Sequence, residues 1–149
     1  MLYFVHERLL TFTQALGVCT EGFAAITNHI LALGLVAEGR DAGTRERDER
    51  ALEIWCSTSA ALSATDEVEA YLQRGERGVA MLLELGKEYV PDAAIKCCSE
   101  GIDVARTTSR AIRRAHGDQF FKATLSLARA SATIAAHAAA IDLAKPRHA

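Results

Sequence analysis

Four cysteines, five histidines and a stripe of arginines are the residues of this chain that could do chemistry. The cysteines are Cys19, Cys56, Cys97 and Cys98. Thiolates favour Cu(I) and Zn(II), so a soft-metal site inside a helical protein would draw on Cys98, Cys19 and Cys56. Cys97 and Cys98 are adjacent and cannot both point into one core. The competing reading places Cys19 and Cys98 on apolar seams, where cysteine packs as a small hydrophobe. Di-iron bundles need Glu-x-x-His on two helices, because that spacing puts both ligands on one inward face. The residues three positions before the histidines are Tyr3, Ile26, Arg113, Ile134 and Lys145. No His-x-x-x-His or Cys-x-x-Cys-His occurs either. Ferritin-like oxygen chemistry, haemerythrin-like ligation and c-type haem are therefore disfavoured. His29 and His137 read as hydrogen-bonded structural residues. Gly75-Glu76-Arg77-Gly78 lacks the Lys-Ser/Thr of a phosphate-binding loop. No Ser–His–acid set can be read from spacing, because folding assembles such triads.

Arg106, Arg110, Arg113 and Arg114 form the strongest basic cluster. The spacing of the first three puts them on one helix face, and His116 and Lys122 extend the charge. Arginine recognises carboxylates and phosphates through its bidentate fork. Two uses follow: ion pairs to acidic helices, such as Glu67/Glu69 or Asp48/Glu49, or contact with an anionic partner or a second subunit. Nucleic-acid binding would call for a more basic domain with interleaved aromatics; the net charge is −2 and aromatics are 6% of the chain. The charge is nevertheless segregated, residues 1–95 being net acidic and 96–149 net basic.

The elements that must position these groups are long helices. Leu2, Val5, Leu9, Phe12, Leu16, Cys19, Phe23, Ile26, Ile30 and Leu33 alternate in steps of three and four, which lines one seam of a helix. This spacing predicts a helix over 3–37, with Gly17, Gly22 and Gly34 off the seam. Buried glycines of this kind permit close approach of a neighbour. Thr44 is a candidate N-cap for a second helix that runs from about 45 to 73, with a pause near Thr65–Asp66. Gly75 and Gly78 predict a break, and a short helix follows over 79–85. Pro91 reads as the first position of a helix over about 91–115, with the seam Ile95, Cys98, Ile102, Ala105, Ser109, Ile112 and His116. Gly117 and Asp118 connect it to a last helix over 118–144, made its antiparallel neighbour by the short turn. The small residues after Trp55 leave room for close helix packing or for a bound group.

Cys98 followed by Ile102-Asp103-Val104-Ala105-Arg106, then a turn at Gly117 and Phe120, resembles the cysteine-rich four-helix-bundle copper-binding proteins. The resemblance covers residues 96–137 and implies a four-helix bundle and cuprous-ion storage. That family carries many Cys-x-x-x-Cys pairs facing the bundle interior. This chain has none, and residues 118–144 contain no cysteine. Cys98 alone matches, so no ligand set carries over.

The expectation is an all-α protein. It is an antiparallel four-helix bundle with a long first helix and one short extra helical segment, residues 1–149 forming one domain. Half the residues are hydrophobic, enough for a real core. Charges interrupt the first ten residues, unlike a signal peptide. The uncharged stretch over 22–37 falls short of the roughly 20 apolar residues of a bilayer span. A cytoplasmic protein is expected, with no membrane span and no nucleic-acid partner. The expected function is non-enzymatic: a binding or scaffold protein that self-associates through its first helix, as a homodimer, with a protein or small-molecule partner. The alternatives are a bundle that binds copper or zinc through buried cysteines, and an enzyme whose site is assembled between helices.

Overall fold

The computed structural model describes residues 2–36, 41–65 and 67–119. The elements are α1 (Leu2–Val36), α2 (Ala42–Ser63), α3 (Val68–Leu85), a 3-10 turn at Lys87–Tyr89, and α4 (Asp92–His116). The helices form an all-α bundle in which α1 packs most extensively on α4, and α2 packs on α3. Of the helix expected over 118–144, all but its first two residues, and with them Phe120, Lys122 and His137, lie outside the described residues.

The seam of α1 is filled from within the chain. Phe12, Leu16, Cys19, Phe23, Ile26 and Ile30 are all buried. On α4, Cys98, Ile102, Ala105, Ser109 and Ile112 are buried as their spacing requires, while His116 at the end of that seam is exposed. By length and hydropathy alone Glu7–Gly34 could cross a membrane, but 44% of that window is buried inside the bundle. The aromatic centre joins three helices. The Phe23 ring lies 6.2 Å from Trp55 and 5.8 Å, edge-on, from Tyr71. The polar tips find partners: Trp55 Nε1 donates to Thr27 Oγ1 at 2.8 Å, and the Tyr71 and Thr20 hydroxyls meet at 3.4 Å. A buried indole N–H or phenol left unpaired would cost about 1–3 kcal/mol, so these bonds fix the facing of α1, α2 and α3 together.

The middle of the chain divides differently from the expectation. The helix expected over 45–73 ends at Ser63, beside the pause expected near Thr65–Asp66, and α3 runs unbroken through Gly75 and Gly78 to Leu85. The expected short helix over 79–85 is the second half of α3. The extra short piece is instead the 3-10 turn at Lys87–Tyr89. Gly75 and Gly78 are buried on the inner face of α3. The ring tip of Phe23 occupies the space a side chain at Gly75 would need, and the Thr58 side chain occupies that of Gly78. Glycine in a helix costs about 1 kcal/mol; here close packing offsets it, so the pair marks contact rather than a stop. The end of α2 is set by side chains. Thr65 Oγ1 donates to Ala61 O at 2.6 Å, and Arg74 reaches back from α3 to Thr65 Oγ1 and to Ala61 O.

Two helix starts also shift. Asp41 caps α2, accepting from Thr44 N at 2.8 Å and from Thr44 Oγ1 at 2.9 Å. Thr44 thus sits in the first turn, and the carboxylate, with two oxygens, satisfies the orphan N–H. Pro91 is the N-cap of α4 rather than its first residue; its carbonyl accepts from Ala94 N and Ile95 N. Gly117 ends α4 with a φ of 85°, a conformation that suits glycine.

Candidate functional site

Cys19 and Cys98 both lie in the α1–α4 crossing, each against a glycine of the opposite helix. A β-carbon on Gly101 would stand 2.8 Å from Cys19 Sγ and 3.0 Å from Ala15 O. A β-carbon on Gly22 would stand 2.6 Å from Cys98 Sγ and 3.3 Å from Ala94 O. The two sets correspond one to one: Ala15, Cys19 and Gly22 on α1 with Ala94, Cys98 and Gly101 on α4. A short repeat underlies this. Ala15-Leu16-Gly17-Val18-Cys19-Thr20-Glu21-Gly22-Phe23 matches Ala94-Ile95-Lys96-Cys97-Cys98-Ser99-Glu100-Gly101-Ile102 in type at nearly every position. The antiparallel helices therefore meet around a local pseudo-two-fold axis. Periodicity alone does not expose this repeat, because its two copies are far apart and short. Spacing of the pairs Cys-x-x-Gly would have found it. Gly22 fits the close approach expected of it; Gly34 has nothing near it.

Burial raises both inner thiols. Cys98 is pushed up to about 12, by loss of hydration and then by Cys97. Cys19 is pushed higher still, first by burial and then by Cys98. Cys97 is half-buried and also raised, by burial and by Glu21 and Glu100. Cys56 is exposed on α2. The three cysteines expected as metal ligands, Cys19, Cys56 and Cys98, are thus two core residues and one surface residue. Among the described residues no group of three or more His, Cys, Asp or Glu side chains is placed to hold a metal ion. Cys19 and Cys98 act here as small packing residues with protonated sulfurs.

The arginine stripe is engaged inside the chain. Arg106 pairs with Glu69 at 3.5 Å and with Glu76 at 3.4 Å. Arg110 pairs with Glu69 at 3.0 Å, and Arg113 with Glu67 at 3.2 Å and Asp118 at 2.9 Å. The stripe of α4 lies against the acidic flank of α3, one of the two uses its spacing allowed. Arg114 is exposed.

A third cluster closes the end of the bundle. Tyr89 is fully buried, and its hydroxyl donates to Asp48 Oδ1 at 2.7 Å. Burial, then the bond to Asp48, raises the Tyr89 phenol above its ordinary value. Arg47 pairs with Glu88 at 3.0 Å. His29 Nε2 meets Glu88 O at 2.6 Å. His29 thus has the structural role expected of it, tying α1 to the 3-10 turn.

Concavities also mark the surface, one of about 290 Å³ lying between α1 and α4 over Glu7, Arg8, Thr11, Thr107, Thr108 and Ala111. A groove of about 440 Å³ runs between α2 and α3, lined by Glu53, Ile54, Ser57, Thr58, Ala61, Arg74, Arg77, Gly78 and Met81. Ser57, Thr58 and Ala61 of its α2 wall belong to the run of small residues that follows Trp55. A shallower notch of about 240 Å³ lies on the outside of the α1–α4 pair, over Gly101, between Gln14, Val18 and Val104. Compared with known protein families, with curated proteins and with solved structures, the chain finds no match.

Proposed function

We propose that this protein is a non-enzymatic binding and scaffold module that pairs with a second copy through the outer face of α1. The observation that carries the reading is the placement of exposed apolar side chains. Leu10 is 49% exposed and Leu31 53%, and both stand on α1. They are three heptads apart, so they share one side of the helix. Val104, 43% exposed on α4, borders the notch that lies between them along the bundle. An isologous dimer places the same patch on both copies. With the two α1 helices antiparallel, each Leu10 covers the Leu31 of the other copy. The seam first expected to make this contact is used inside the chain, so the association falls to the opposite side of the same helix.

The buried polar side chains have bonding partners within the chain. Asp48 accepts from Tyr89, Thr58 bonds to Ile54 O, Thr65 to Ala61 O and Ser109 to Arg106 O. The first ties α2 to the 3-10 turn, and the other three are local bonds to the backbone three or four residues earlier. The test is native mass spectrometry of the full chain, backed by light scattering at micromolar concentration. The expected result is a dimer that Leu10→Glu and Leu31→Glu together convert to a folded monomer. A monomer at all concentrations, or a dimer indifferent to both substitutions, would overturn the reading.

A further inference from the structure

We propose that the groove between α2 and α3 is a binding site for a small oxyanion-headed amphiphile: a carboxylate or phosphate carried on a short apolar chain. The argument begins with charge on α3. Its carboxylates Glu67, Glu69 and Glu76 are drawn to one flank by the arginines of α4. Arg74 and Arg77 stand on the other flank and line the groove. The neutralisation of the acidic flank leaves the basic one uncompensated, with Glu53 the one carboxylate among the groove's lining residues. No ion pair joins Glu53 to Arg74 or Arg77.

The groove has two chemically distinct ends. At the α2–α3 turn, Arg74 is fixed in place by Thr65 and by the carbonyl of Ala61. A guanidinium held at one nitrogen keeps donors for an anion while losing little freedom on binding. Arg77 and the hydroxyl of Ser57 follow one turn along. Ile54 and Met81 then line the far end, and Met81 is 44% exposed. Gly78 lets the Thr58 side chain of α2 close against α3 and form the floor of the groove. Arg74 to Met81 spans seven residues of α3, about 10 Å along the axis, the reach of a chain of about eight carbons. A volume of about 440 Å³ suits a ligand of that size. The head lies by Arg74, Arg77 and Ser57; the tail runs past Ile54 and Met81. The site shares no residue with the outer face of α1, so it stands or falls independently of the dimer.

The test is an NMR titration of the full-length protein with octanoate and, separately, octyl phosphate. Octanol, octylammonium and inorganic phosphate are the comparisons. The expected result is shifts at the methyls of Ile54, Ala61 and Met81 with either anionic amphiphile, and binding weakened about tenfold by Arg77→Glu, the loss of one charge-assisted contact. Arg77 makes no contact that holds the fold, so the variant should melt as the wild type does; Arg77→Lys should retain part of the affinity. Octylammonium or octanol binding as tightly as octanoate would overturn the proposal. So would inorganic phosphate binding as tightly as octyl phosphate, or an Arg77→Glu variant with unchanged affinity.

Discussion

Cys19 Sγ rests in the place of a side chain on Gly101, 2.8 Å from where its β-carbon would stand. Cys98 does the same over Gly22. The crossing of α1 and α4 is therefore keyed by two thiols and two missing side chains.

Adding a methyl at Gly101 tests the key. Overpacking a core costs about 1–3 kcal/mol, against a helix-propensity gain of about 1 kcal/mol for Gly→Ala. Ala15 O and Cys19 N stand at 3.0 Å and are backbone, so the helix cannot yield by a rotamer change. Gly101→Ala should lower stability by about 1 kcal/mol in urea melts. Combined with Cys19→Ala, which removes the sulfur, the loss should be less than the sum of the single changes. Simple additivity would show that the two residues do not touch.

The thiols should react in the order of their exposure. Cys56 is exposed, Cys97 half-buried, Cys19 and Cys98 buried. Thiolate is the reactive form, and Cys98 is held near 12. Iodoacetamide at pH 8, read by mass spectrometry, should label Cys56 first and Cys97 slowly. Cys19 and Cys98 should label only in denaturant. The folded state also keeps these protons when the unfolded chain releases them. Between the ordinary value of 9.0 and about 12, the folded protein binds more protons. Its stability should be full below pH 9 and fall as pH rises beyond it. A flat urea midpoint from pH 8 to 10.5 would contradict this.

Tyr89→Phe removes the donor to Asp48 at the closed end of the bundle. Asp48 is 6% exposed, and losing a hydrogen bond to a buried carboxylate costs about 1.5–3 kcal/mol. Thermal melting should drop by several degrees. Tyr89→Phe with Asp48→Asn should recover part of the loss, since the remaining amide carries no charge.

The ion pairs of Arg110 and Arg113 are a weaker hold. Arg110 is 63% exposed and Arg113 34%, and pairs of this kind contribute roughly 0–1 kcal/mol. Arg110→Ala should cost less than about 1 kcal/mol and nothing measurable in 1 M salt. Reversal of both Arg110 and Arg113 to Glu should cost more, by repulsion from Glu67 and Glu69, and should regain stability as salt is added.

The 3-4 spacing of Phe12 to Ile30 and of Cys98 to Ile112 identified the helix faces that are buried, because a seam of that length has one way to leave water. The pairing of Arg106, Arg110 and Arg113 with Glu67 and Glu69 was legible as one of two uses of a charged stripe. The division of α2 from α3 was legible as the pause near Thr65–Asp66, but the continuity of α3 was not. Gly75 and Gly78 carry the local signature of a break, and only the side chains of Phe23 and Thr58, distant in sequence, turn them into contacts. The α2–α3 groove was visible as a run of small residues, but the arginines that face it come from a helix whose register the sequence did not reveal. Cys19 and Cys98 could be placed on seams by spacing; that each needs the other's glycine is a property of the crossing.

The two halves of that crossing are near copies, and each fits the other by the same three residues. A surface that fits its own copy fits any chain that displays it. During synthesis α1 is complete long before α4 is made, and in that interval every nascent chain exposes Ala15, Cys19 and Gly22 to its neighbours. Two first helices would offer each other the same sulfurs and the same hollows that α4 later fills. Once α4 arrives it fills those hollows within its own chain, so the same residues that join the two helices also take the self-fitting surface out of reach of other chains.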